Sequence, residues 1–129
     1  MLPRSSRERV PAGTRVIDVT SARPGRSLSL AVSNPSAVRR IIGLIDALPI
    51  VQPGVWSCPL LPAGAPVVKL TFRARADASP LARASQTDYG FDAGACAPMS
   101  FSVRGRVMKP LLGGNLLARL QRLLHVRLR

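Results

Sequence analysis

The stretch "RSLSLAVSNPSAVRRIIGLIDALP", residues 26–49, contains both periodicities from which a mixed fold is built. Its first part alternates, with Leu28, Leu30 and Val32 on one side and Ser27, Ser29 and Ala31 on the other, which is the pattern of a half-buried strand. At Asn34 the period changes. Asn is a favoured helix N-cap, and Pro35 suits the first helical position, where its missing N–H costs no hydrogen bond. Val38, Ile41, Ile42, Ile45 and Leu48 then recur at helical spacing, with Arg39, Arg40 and Asp46 on the opposite side, until Pro49 ends the run. A strand that passes directly into an amphipathic helix, each with one apolar side, sets up a sheet covered by helices.

Outward from this stretch the same two patterns recur. "VVKLTFRAR" (67–75) points Val68, Leu70 and Phe72 inward and Lys69, Thr71 and Arg73 outward. "MSFSVRG" (99–105) gives a strand through Met99, Phe101 and Val103, and Arg104–Gly105 reads as a tight turn into "RVMKP", hence a hairpin. "GGNLLARLQRLLHVRLR" (113–129) supplies Asn115 as a cap, then a stripe of Leu116, Leu117, Leu120, Leu123 and Leu124. The predicted order is strand, helix, strand, strand, short strand, helix. The expected fold is α+β: a small, mainly antiparallel sheet with two helices packed on one face.

The remaining segments read as loops. Residues 1–25 are punctuated by Pro3, Pro11, Gly13, Pro24 and Gly25 and are expected to be a flexible basic arm, with "RVIDV" its one candidate for a short strand. Residues 26–129 then form a single α+β domain. Residues 49–66 form a proline-restricted loop carrying Trp56 and Cys58. Residues 76–95, "ADASPLARASQTDYGFDAGA", are small and polar and read as a long excursion ending at Cys96.

Composition bounds the function classes. At 129 residues and 47% hydrophobic content the chain can bury one core without a metal. Nineteen basic residues against six acidic give a net charge of +13, which attracts anionic polymers without specifying any of them. No run approaches the roughly 20 apolar residues of a membrane-spanning helix. The opening "MLPRSSRERVPAGTRVIDVT" has the charges of a signal-peptide n-region without an apolar h-region, so an exported protein would need its signal upstream of Met1.

Few residues carry chemistry. Two Cys and one His fall short of the four ligands of a zinc site, so neither metal nor cofactor is expected. Cys58 or Cys96 with His125 would make a dyad lacking a third member, and His125 is better placed as a helix-terminal residue interacting with the dipole. Asp88 and Asp92 lie among Gly90 and Gly94 as turn residues. An enzyme is not expected. The arginines are scattered through every element, and no nucleic-acid recognition motif accompanies them. The C-terminal helix has the amphipathic pattern of an interfacial membrane helix, but a helix covering the sheet explains the same stripe.

The two cysteines decide the compartment. Both precede strands, Cys58 before "VVKLTF" and Cys96 before "MSFSV", so neighbouring strands would bring them to one end of the sheet. A bridge closing that loop would stabilise by roughly 4 kcal/mol on a chain-entropy basis. Two unpaired thiols in a cytoplasmic protein are the alternative.

Taken together, "NPSAVRRIIGLIDALPIVQPGVWSCP", "VVKLTFRAR", "PLARA", a second Cys before a strand and "VRGRVMKPLLGG" resemble an uncharacterised small extracytoplasmic, lipoprotein-type domain of actinobacteria and relatives. The resemblance spans about residues 30–126, where its motifs are a helix ending in "LP", a "PG…CP" loop and an "LTFR"-like strand. It implies that Cys58 and Cys96 are a disulfide pair in an extracytoplasmic or cell-envelope protein, and it implies no activity. The chain departs from that pattern in having "GAC" in place of "GC" and no lipid-attachment cysteine upstream. The leading expectation is a non-enzymatic extracytoplasmic structural or binding module whose partner is a protein or cell-envelope component, with Trp56, Tyr89 and Phe91 as candidate contact residues. The alternative is a basic nucleic-acid-binding protein acting through its Arg-rich arm and C-terminal helix.

Overall fold

The Asn34 side chain accepts a hydrogen bond from the Ala37 N–H at 3.1 Å, and Pro35 opens helix α1 (Pro35–Asp46), as the capping pattern predicts. The helix buries Val38, Ile41 and Ile45 and leaves Arg39 and Arg40 exposed. The computed structural model describes residues 8–52, 54, 57–61, 63–89 and 93–126.

Seven strands accompany α1: β1 (Val16–Arg23), β2 (Arg26–Val32), β3 (Val67–Arg73), β4 (Ala82–Thr87), β5 (Pro98–Val103), β6 (Arg106–Val107) and β7 (Leu111–Leu112). Helix α2 (Leu116–Leu124) follows. The order across the sheet is β2-β1-β3-β4-β5-β6, every pairing is antiparallel, and β7 pairs with the start of β5. The expected α+β class is the one observed, with the helices on one side of the sheet.

The register aligns the apolar positions. Ile17, Phe72, Ala82 and Val103 lie in one row across β1, β3, β4 and β5, and Val19, Leu70, Ala84 and Phe101 in the next. All eight are buried, and they join Val38, Ile41 and Ile45 of α1 and Leu116, Leu117 and Leu120 of α2 in one core. Three leucines of the α2 stripe are thus taken up by the domain interior, and Leu123 and Leu124 pack against it partly buried. Beyond α1, the Leu112 N–H donates to the Pro49 carbonyl and the Val51 N–H to the Pro110 carbonyl, which fastens the start of the proline loop to β7.

Two expectations need correction. Residues 16–23 are not part of a flexible arm: β1 is an inner strand, paired along its length with β2 and β3. The domain therefore begins before residue 26. Pro24 and Gly25 (φ +74°) are the turn of the β1–β2 hairpin, closed by Arg23 opposite Arg26, and not the end of a linker. Further upstream, Val10 is buried and its N–H donates to the Asp46 carboxylate at 2.9 Å, which ties this segment to the last turn of α1.

The long excursion of residues 76–95 is likewise not irregular throughout, because β4 occupies its middle. Ala82 and Ala84 face the core, and β3 and β5 hold the strand from both sides. The Arg104–Gly105 turn does form the predicted hairpin. Both residues have positive φ (51° and 79°), the conformation of a two-residue I′ turn.

Candidate functional site

Cys58 and Cys96 form a disulfide, with Cα atoms 5.4 Å apart across a sequence separation of 38 residues. Disulfides persist in oxidising surroundings, so the bridge points to a non-reducing setting. It joins the proline loop to a short 3-10 turn (Gly94–Cys96) that leads into β5. The turn is built from its own backbone: Gly94 has φ +59°, and the Ala97 N–H donates to the Gly94 carbonyl at 3.2 Å. Its other anchor is Gln86. This side chain, buried at the end of β4, donates to the Ala97 carbonyl at 2.7 Å. Gln86 also presses against Gly113, where a Cβ would fall 2.4 Å from Gln86 Nε2. The loop of β4–β5, the disulfide and the approach to α2 thus meet at one end of the sheet.

That end carries the most exposed large apolar side chain among the described residues. Leu60 is 95% exposed and Leu61 52% exposed, two and three residues after Cys58. An exposed leucine pair on an irregular but tethered loop has the makings of a contact surface. Of the three aromatic candidates, Tyr89 is half-buried, while Trp56 and Phe91 lie outside the described residues. Sequence reasoning passed over Leu60 and Leu61 because two leucines between prolines have no period to read. Their position immediately after Cys58 was the available signal.

The other candidates separate. Asp88 is buried, and its N–H donates to the Pro66 carbonyl at 2.8 Å, while Asp92 lies outside the described residues. His125 is exposed at the C-cap of α2 in the left-handed conformation (φ 55°). Among the described residues no group of three His, Cys, Asp or Glu side chains is placed to hold a metal ion. Asn115 occupies the N-cap position of α2 without making the side-chain hydrogen bond that its identity suggests.

The second feature is the sheet face that neither α1 nor α2 covers. A depression of about 550 Å³ lies on it, across β3, β4 and β5. Lys69 and Thr71 of β3, Ser85 and Arg83 of β4, and Ser100 and Ser102 of β5 line it on a grid set by the register: Lys69 opposite Ser85 opposite Ser100, and Thr71 opposite Arg83 opposite Ser102. Leu70, Ala84 and Phe101 also contribute to its lining, as does exposed Val107 of β6. A smaller depression of about 190 Å³ adjoins it, sharing Arg83 and Ser102 and adding Arg104. Among the described residues neither has an acid in its lining. The one acid among the outward positions of β1–β5 is Asp18, and it is held by Arg73 Nε at 2.8 Å. No protein family, no curated protein and no solved structure matches the chain.

Proposed function

We propose that this chain is a non-enzymatic extracytoplasmic binding module that engages a protein or cell-envelope component through its disulfide-tied loop end. The observation that carries the reading is the Cys58–Cys96 bridge, which pins to the sheet an irregular loop displaying Leu60 almost fully to solvent. Fixing such a loop before it meets a partner lowers the ordering cost of association. With both sulfurs joined, neither cysteine is a nucleophile. A persistent bridge calls for a setting where thiols are oxidised, which supports the extracytoplasmic reading.

The test is thiol alkylation and intact mass on protein recovered from its own cells. No adduct before reduction and two adducts after it, in the extracytoplasmic fraction, is the expected outcome. Two adducts without reductant, or recovery from the cytoplasm, would overturn the reading.

A further inference from the structure

The open sheet face combines a depression, a positive charge with no acidic residue among its described lining and a dense set of hydroxyl groups, and none of these serves the core. We propose that it is a second binding site, which holds a linear chain of phosphate groups along the line Lys69–Arg83–Arg104.

Three observations select that chemistry. First, six polar side chains from three strands line the larger depression: Lys69, Thr71, Arg83, Ser85, Ser100 and Ser102, of which Ser100 already donates its hydroxyl proton to the Ser85 carbonyl at 3.3 Å. A single carboxylate offers two oxygens in one plane, whereas a run of linked phosphates carries two non-bridging oxygens on every unit, spread along the line of the donors. Second, the smaller depression continues from Arg83 and Ser102 to Arg104, so a third cation follows the first two. The left-handed pair Arg104 and Gly105 forms that end of the track. A row of cations suits several linked anions better than one. Third, the outward positions of β1–β5 include no aromatic residue. Sites for single-stranded nucleic acid stack bases on aromatic side chains, and this face has no platform for them. The chain recognised is therefore one of phosphates without stacking rings.

The site stands apart from the loop end and does not depend on the redox state of the cysteines, so either proposal can fail alone. The probe is a short inorganic polyphosphate, titrated calorimetrically into the full chain at physiological salt. Lys69 and Arg83 are exposed, so their replacement spares the core. The double variant Lys69→Met/Arg83→Met is expected to bind about tenfold more weakly or worse, because two charge-assisted contacts are lost. Arg39→Gln/Arg40→Gln removes the same charge from the exposed side of α1 and should stay within about twofold if the effect of net charge is as weak as salt screening implies. An independent variant, Ser100→Asp, puts a negative charge in the depression and should weaken binding as the double variant does. Equal losses in the groove and helix variants would overturn the proposal, reducing it to the general attraction of a +13 chain. No binding at physiological salt would overturn it too. So would an oligothymidylate with the same number of phosphates binding as tightly and with the same sensitivity to Lys69 and Arg83.

Discussion

Along β3, Val68, Leu70 and Phe72 go to one side of the sheet and Lys69, Thr71 and Arg73 to the other, and the two sides meet different fates. The first side is covered by both helices and holds Phe72 and Phe101 with almost no exposure. The second is bare, aromatic-free and positively charged. A sheet needs only one covered face to fold, because antiparallel pairing satisfies the backbone whether or not a second layer is present. The uncovered face is therefore under no packing constraint, and its residue types reflect solubility or binding.

The largest expected effect tests that division directly. Phe72→Ala removes a fully buried ring from the central strand and should lower stability by about 3–5 kcal/mol. Thr71→Ala, the next position on the same strand but on the bare face, should stay within about 0.5 kcal/mol. Chemical denaturation midpoints at equal slope measure both. Comparable losses would mean that the bare face is covered in solution, for example by a second copy of the chain.

A smaller effect is expected where the two layers join. Gly113 gives way to Gln86, and a methyl group there would overlap the amide that holds the Ala97 carbonyl. Gly113→Ala should cost about 1–3 kcal/mol through overpacking. Because Gln86 is the obstructing group, Gln86→Ala in the same chain should relieve the added strain, giving a favourable coupling energy in a double-mutant cycle. Additive losses would show that Gly113 is required for its backbone and not for the space it leaves.

Legibility divides along the same line between local and non-local causes. Helix α1 could be read because its cap, its apolar spacing and its terminating Pro49 all lie within 16 residues of one another (34 to 49). The inward sides of β2, β3 and β5 could be read because Leu, Val and Phe alternate strongly. β4 could not, since alanines at 82 and 84 carry too weak an apolar signal, and the strand is set by partners on both sides. β1 was obscured by Pro24–Gly25, because linkers and hairpin turns use the same residues. The cysteines do pair, but not because the strands that follow them are neighbours: β4 lies between β3 and β5, and these two begin at the same end of the sheet because each runs antiparallel to β4. The groove was beyond reach: Lys69, Arg83 and Ser100 become neighbours only through the register of three strands that loops separate in sequence.

The smallest expected effect joins the bare face to its charge. Asp18 and Arg73 form an ion pair whose side chains are 33% and 25% exposed, so solvent screens it and its contribution to stability is about 0.2–1 kcal/mol. Arg73 would not be set free by Asp18→Asn, since its Nη1 also donates to the Ala78 carbonyl at 2.6 Å and keeps the guanidinium in place. The substitution therefore subtracts a negative charge from the bare face while leaving its geometry as it is. Thermal melting should shift by only a degree or a few, whereas polyphosphate affinity should rise by about two- to threefold, as expected for one charge acting across neighbouring strands in a screened setting. The two readouts move in opposite directions, and that is what makes the small effect informative. A protein that loses stability without gaining affinity has its anion site elsewhere. One that gains affinity equally from Asp77→Asn, whose carboxylate is exposed in the β3–β4 turn beside Arg75, is responding to total charge and not to the groove.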